Sequence, residues 1–322
     1  MNQDHPQKPS GHLPHLRRLR NRKPPFEIQA RDIELIQAIT IDRTSTASLL
    51  KLLFPPQKEK TPRHVFTATP KRSGTNIDRR LSKLFHYGYL ERIRTEFGGE
   101  LFYLVTPKGV ELQEEQQLPL PLEIRTAEKG KPTHMYLEHS AMVAGVHTAL
   151  LCALREHPSL QLPHYERESS DLKADWKRKG RRIYVNPDAF FILQDTSQPE
   201  GKQPTPYFLE ADRSSMHLPR LLEKYARYSL MYDDRVHQEA FGITSFRVLT
   251  VCKSKERVEN ILKLAAADTS PIPATYKKFF FFTAEENYTT TPQNIFAEIW
   301  KRADEPKPFR SILRADPLPF LR

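Results

Sequence analysis

The sequence predicts a chain of two parts, an α+β domain followed by a mixed α/β domain. Three observations carry this. The chain has 322 residues, too many for one ordinary small domain. Its charge is uneven: residues 1–110 hold 20 Lys and Arg against 10 Asp and Glu, the remainder 30 against 29, so nearly all of the net +11 lies in the first third. The periodicity also changes along the chain, from three helical stretches and a hairpin to strands alternating with helices. A hydrophobic fraction of 38% is enough to build a core. A mean hydropathy of −0.62, with no apolar run near the roughly 20 residues a bilayer needs, predicts no membrane insertion. The first residues are basic without an apolar core or a cleavage site, so no secretory leader is expected. Cys152 and Cys252 are too few for a disulfide framework or a four-thiolate zinc site. Reduced, buried thiols in a cytoplasmic protein are the expectation.

Residues 1–25, rich in Pro, His and Arg, read as a flexible basic arm. A domain over 26–112 follows. Ile33, Leu35, Ile36 and Ile39 fall on one helical face. Thr44-Ser45-Thr46 supply cap candidates for a short helix, Ala47–Leu53, which Pro55-Pro56 stops. The Pro-rich residues 55–71 read as a loop. Ser73 or Thr75 can cap a third helix, Asn76–Tyr87, with Ile77, Leu81, Leu84 and Phe85 inward and Gly88 at its end. Tyr89–Arg94 and Glu100–Val105 read as strands around Phe97-Gly98-Gly99, a hairpin signal. Three helices and then a hairpin is the order of a winged helix-turn-helix, in which the third helix enters the major groove and the hairpin is the wing. Lys71, Arg72, Asn76, Arg79, Arg80 and Lys83 on that helix, with Arg92 and Arg94 on the wing, are the residue types that contact phosphates. Double-stranded DNA is the expected partner. A winged helix used for protein contacts is the competing reading, and a homodimer is open.

Residues 113–133 read as a linker, and 134–285 as the second domain. Glu138–His157 is a long helix, with Met142, Val143, Val146, Leu150 and Leu154 at helical spacing. Strands are expected at Leu160–Arg167, Arg182–Val185, Ala189–Leu193, Pro206–Asp212, Phe246–Cys252 and Phe279–Thr283. Helices are expected at Leu218–Met231 and Ser254–Ala266. The result is a central sheet covered by helices. Residues 286–322 read as a C-terminal helix and a tail, extended from Ala303 onward. The run from Lys173 to Arg182 reads as a basic hairpin or loop on a nucleic-acid backbone, with Lys177, Arg178 and Lys179 as cations and Trp176 placed to stack on a base. A solvated loop is its bland alternative.

Asp188 opens one strand after Pro187, and Glu210 and Asp212 lie near the end of the next. If the strands are neighbours, Asp188 can stand beside Glu210, and Glu210 and Asp212 share a face because strand side chains alternate. Acids at the ends of apolar strands need partners. A hard cation such as Mg2+ or Mn2+, held by Asp188, Glu210 and Asp212, is one solution. Ordinary salt bridges to Arg213, Arg182 or Lys224 are another. No His-x-His pair, Gly-rich phosphate loop or Ser–His nucleophile context is present, which argues against a histidine-metal nickase, an ATPase and a serine hydrolase.

Pro187-Asp188 with Glu210-x-Asp212 resembles the restriction-endonuclease-like PD-(D/E)xK arrangement, although Asp212 stands where that superfamily usually has Lys. Lys224 on the next helix resembles the migrated lysine of some branches, and Glu138 the acid that such branches place on the first core helix. The wider pattern is Asp78-Arg79-Arg80-Leu81, Gly88-Tyr89-Leu90, Leu137-Glu138-His139-Ser140, Pro187-Asp188, Glu210-Ala211-Asp212-Arg213 and Lys224-Tyr225. It resembles the replication-relaxation family of plasmid and mobile-element proteins, and is similar in layout to MobC-type conjugative relaxases. The resemblance implies a winged helix joined to a nuclease-like domain, acting at a plasmid or mobile-element origin by nicking or relaxing one strand. It implies Asp188 and Glu210 as metal ligands, Lys224 as catalytic lysine and Glu138 as accessory acid. A replication initiator with a degenerate nuclease-like domain and a transcriptional regulator are the alternatives.

Overall fold

The computed structural model describes residues 26–55, 75–94, 100–126, 132–197, 204–214, 216–307 and 309–314. The basic arm, most of the 55–71 loop, Lys71, Arg72, Ser73 and the Phe97-Gly98-Gly99 turn lie outside them. The fold is mixed, helices with a multi-stranded sheet, and it divides into two compact units between Ala141 and Met142.

In the first unit, helix α1 (Ala30–Ile41) buries Leu35, Ile36 and Ile39. Helix α2 (Ala47–Leu53) starts where the Thr46 hydroxyl accepts the Leu49 amide at 3.4 Å, the cap that a Thr at this position supplies. Helix α3 (Thr75–His86) buries Ile77, Leu81, Leu84 and Phe85. Gly88 ends that turn at φ +83°, a conformation that costs glycine least. Strands β2 (Leu90–Arg94) and β3 (Leu101–Val105) pair antiparallel, Leu90 opposite Val105. Ser45–Thr46, just ahead of α2, form a short strand β1 on the far side of β3, giving the order β1-β3-β2. Helix α4 (Pro107–Glu115) occupies part of the expected linker. Its start carries the ordinary signals, a Thr106 side-chain cap and Pro107 in the first turn, and Ile124 beyond it packs on the first core.

The long helix α5 (His134–Leu154) contains the division between the units. It corrects one expectation, because it is long and apolar enough to cross a membrane by length and composition. Most of that apolar stretch is buried within the protein. In the second unit a six-stranded sheet has the order β11-β10-β9-β8-β7-β4. Strands β4 (Leu160–Arg167), β7 (Ala189–Asp195) and β8 (Thr205–Asp212) form an antiparallel meander. Strands β9 (Arg247–Cys252) and β10 (Phe280–Ala284) continue it parallel to β8. The parallel pairs need crossovers. Helices α6 (Leu218–Asp233) and α7 (Val236–Phe241) supply the first, and α8 (Lys255–Ala266) the second. Residues alternate across the sheet. Phe190, Phe208, Phe280 and Phe282 meet α6 and α8, whereas Phe191, Tyr207, Leu209 and Phe281 meet Met142, Val143, Val146 and Leu150 of α5.

Strands β5 (Ala174–Arg178) and β6 (Arg181–Val185) form a separate hairpin. Its two-residue turn, Lys179-Gly180, has φ +48° and +76°, the left-handed pair that matches the twist of a tight hairpin. The C-terminal part departs from the expected helix and tail. A single helical turn, α9 (Glu286–Thr289), is followed by β11 (Lys301–Arg302), which pairs with β10 at the sheet edge. Trp300, Ala303 and Ile312 are buried in the two cores. Their apolar surface is what draws residues 300–307 and 309–314 onto the sheet; the end of the tail, 315–322, lies outside the described residues.

Candidate functional site

The second unit's acidic site follows from strand register. Ala189 pairs with Leu209 in β7–β8, so Asp188 stands opposite Glu210 as the next cross-strand pair. The Asp188 amide donates to the Leu209 carbonyl at 3.0 Å. The Asp188 Oδ2 in turn accepts the Ala211 amide at 2.7 Å, which holds the carboxylate at the end of β8. Phe208, Glu210 and Asp212 share the face that α6 and α8 cover. On α6, Lys224 and Tyr228 are one turn apart and reach the same carboxylate. Tyr228 donates to Glu210 Oε1 at 2.5 Å, and the Lys224 ammonium is ion-paired with Oε2.

Glu210 is 3% exposed. Burial pushes its carboxyl up to about 7, against the pull of Lys224, and the Asp188 carboxylate adds to the rise. For Lys224, burial works against the ammonium. The carboxylates of Glu210, Asp188 and Glu168 nevertheless hold its pKa above the ordinary value. Tyr228 is a phenol throughout, because burial and then Glu210 drive its pKa far upward. Glu168 and Tyr228 are absent from the sequence reading. Tyr228 follows Lys224 at helical spacing, a signal that was present. Glu168 has no such signal; its amide donates to the Asp188 carbonyl at 2.9 Å and its side chain accepts Asn186 Nδ2 at 3.2 Å.

Asp212 shares the predicted face but not the predicted role. Its Oδ2 accepts Arg257 Nε at 2.6 Å, and its Oδ1 accepts Arg257 Nη2 at 3.4 Å and the Ser214 amide at 3.1 Å. Ser254 caps α8 and sets Arg257 in its first turn. A buried carboxylate so engaged is neutralised, and Asp212 is therefore removed from the expected metal ligands. Among the described residues, no three His, Cys, Asp or Glu side chains come close enough to one another to hold a metal ion. Asp188 and Glu210 are cross-strand neighbours, Asp188 accepting the Ala211 amide and Glu210 engaged by Lys224 and Tyr228. Mg2+ binds to one or two carboxylates with water and phosphate oxygens completing its shell. Glu138 lies in the first unit, where its Oε2 is 3.3 Å from His134 Nδ1.

The expected DNA contacts divide. On α3, Asn76 and Arg79 are exposed, as is Arg94 on β2. Lys83 is half-buried near the Phe26 ring. Arg92 places its guanidinium 4.4 Å from the centre of the Phe85 ring. Arg80 is a correction. It is 8% exposed, gives Nε to Asp32 Oδ1 at 2.6 Å and Nη2 to the Glu27 carbonyl at 2.9 Å, and its Nη2 also pairs with Asp32 Oδ2. Asp32 is itself buried and accepts the Gln29 amide at the start of α1. Arg80 thus joins α1 to α3 and is not presented to a phosphate. On the hairpin, Lys177 and Lys179 are exposed. Arg178 faces Asp233 and Asp234 at 3.6 and 3.5 Å. Trp176 is also corrected. Its indole donates to Asp234 at 2.8 Å and packs against the α6 core, so its ring is not offered to a base.

These features define a two-unit α/β protein with a buried carboxylate–lysine cluster at the ends of two neighbouring strands. The replication-relaxation family matches residues 60–245, more than half of the chain, and the chain belongs to that family. The matched span includes Asp188, Glu210, Lys224 and the hairpin, and stops short of Arg257. No curated protein and no solved structure matches the chain. Membership points to a role in the replication or relaxation of plasmid or mobile-element DNA.

Proposed function

We propose that the protein grips duplex DNA with its first unit, acting as a winged helix, and cuts one strand of an origin with the nuclease-like site of its second unit. The observation that carries this reading is the placement of Asp188 opposite Glu210 with Lys224 ion-paired to the same carboxylate. In the first unit, α3 would lie in the major groove with Asn76 and Arg79 outward, and Arg94 would meet the backbone from the β2–β3 hairpin.

Asp188 and Glu210 would hold Mg2+ or Mn2+, which supplies Lewis acidity toward a phosphodiester oxygen and lowers the pKa of water. Tyr228 fixes the Glu210 carboxylate by its hydrogen bond. Lys224 keeps one ammonium beside that carboxylate, where it can orient the attacking water or steady the charge that develops on the phosphate. The apolar wall of α6 and β8 excludes bulk water from this side. The reading requires the compartment where plasmid DNA resides, the cytoplasm.

The test is relaxation of a supercoiled plasmid carrying the cognate origin, with Mg2+ or Mn2+, by the wild type and by Glu210→Ala and Lys224→Ala. Each substitution is expected to lower nicking at least about a hundredfold. Relaxation that survives both would remove these residues from the chemistry.

A second reading, a binding-only initiator with a degenerate site, has its own support. Asp212 replaces the usual lysine and is consumed by Arg257, and both Glu210 oxygens already have internal partners. Origin binding without cleavage under either metal favours it.

A further inference from the structure

We propose that the outer face of the β5–β6 hairpin, centred on Tyr184, binds a single-stranded stretch of DNA by base stacking. This deepens the proposed function by naming the form of DNA that the second unit holds. Tyr184 is 47% exposed, whereas its neighbours Ala174 and Val185 are buried. Strand alternation explains the arrangement. Trp176 and Ile183 pair across the hairpin on the inner side, whereas Asp175–Tyr184 and Lys177–Arg182 pair on the outer side.

The ring is surrounded by cations from three segments. Lys173 Nζ lies over the ring, 5.6 Å from its centre, and the Arg227 guanidinium on α6 lies over it at 5.1 Å, so a base stacked on Tyr184 would share the ring with these cations. Lys177 and Arg182 occupy the next pair toward the tip, where Lys179 and Arg181 are exposed. On this face Asp175 is paired with Arg182 and lies 3.6 Å from Lys173. Residues 173–185 hold six Lys and Arg against the single acid Asp175, and the complement of such a segment is a polyanion.

The exposed ring selects among polyanions. A duplex hides the faces of its bases, whereas an unpaired strand offers them. Aromatic stacking between backbone-neutralising cations is the general mode of single-strand binding. Arg227 stands three residues from Lys224 on the same helix, so a strand stacked on Tyr184 has its phosphates led toward the Asp188–Glu210 pair. Trp176, the ring that the sequence singles out, holds the hairpin to the core from the other side. Tyr184 is the one turned outward.

The test uses the full chain and fluorescence anisotropy with a labelled oligothymidine and with a labelled duplex of equal length. Tyr184→Ala is expected to weaken oligothymidine binding about tenfold while leaving duplex binding unchanged. Tyr184→Phe, which retains the ring, should bind like the wild type. Lys177→Ala with Lys179→Ala should flatten the salt dependence of oligothymidine binding. Unchanged oligothymidine affinity in Tyr184→Ala overturns the proposal, and so does an equal loss for both DNA forms. Thermal melting of each variant checks that folding is intact. Nicking assays separate this proposal from the enzymatic reading. Selective loss in a protein that never nicks supports the stacking face and removes the nuclease, whereas nicking by a protein whose Tyr184→Ala variant binds oligothymidine normally does the reverse.

Discussion

Glu210 carries the clearest electrostatic consequence at the scale of a single residue. Its carboxyl titrates at about 7 in the folded protein against an ordinary 4.5. The folded state therefore keeps a proton that the unfolded chain releases across that interval. The stability that this group contributes therefore falls as pH rises through it. With a chelator present, the melting temperature of the wild type is expected to drop relative to Glu210→Gln between about pH 5 and pH 7. Parallel curves would mean that Glu210 is ionised throughout. Arg80 and Arg79 make a second contrast, since adjacent arginines on α3 have opposite environments. Arg80→Ala leaves Asp32 buried and uncompensated, and should cost about 3 kcal/mol or more in urea unfolding. Arg79→Ala should change stability by less than about 0.5 kcal/mol. It should instead weaken duplex binding, if the proposed winged helix is correct. Equal stability losses in the two variants would contradict the assignment of Arg80 as the inner of the pair.

At the scale of elements, close approach decides where α4 can sit. A Cβ added at Gly109 would lie 2.4 Å from the Tyr89 carbonyl oxygen and 2.8 Å from Val105 Cγ2. The helix therefore rests against β3 and the residue before β2 through a bare backbone. Thr106 completes the join, its hydroxyl donating to the carbonyls of Gly88 and Tyr89 at 2.6 and 3.0 Å. Gly109→Ala should displace α4 and cost about 1–3 kcal/mol by denaturant unfolding. A neutral result would show that α4 moves freely on the sheet. The second unit uses another device. Phe208, Glu210 and Asp212 line one face of β8, and the two crossover helices bring Lys224 and Arg257 to two of them. One strand thus presents both the carboxylate proposed for chemistry and the one paired with Arg257.

At the scale of the whole molecule the governing quantity is charge. Residues 1–110 carry a net +10 and the rest +1. On the proposed reading, duplex affinity should be steeply salt-dependent and carried by the first part. Each phosphate contact contributes about −0.9 to the slope of log K against log salt. Arg79→Ala should reduce that slope by about one. A slope unchanged by Arg79→Ala would place the duplex contacts elsewhere.

Much of the architecture was legible because it is written in local pattern. Helix α2 follows from its Thr cap, α3 from Ile77, Leu81, Leu84 and Phe85, and the sheet strands from apolar runs between turn residues. Helix α4 also carries a local signal, the Thr106 cap followed by Pro107. The acidic cluster was partly legible, since period two alone puts Glu210 and Asp212 on one face. What sequence order could not supply was which partner reaches each buried group. Arg257 claims Asp212 from 45 residues away, Arg80 claims Asp32 from 48, and Trp176 claims Asp234 from 58. Periodicity and capping are properties of neighbours along the chain, so the sequence by itself determined the elements, the alternating faces and the basic first third. Ion pairing and ring exposure depend on which surfaces the core brings together, so only the tertiary structure decided that Asp212, Arg80 and Trp176 turn inward while Tyr184 turns out.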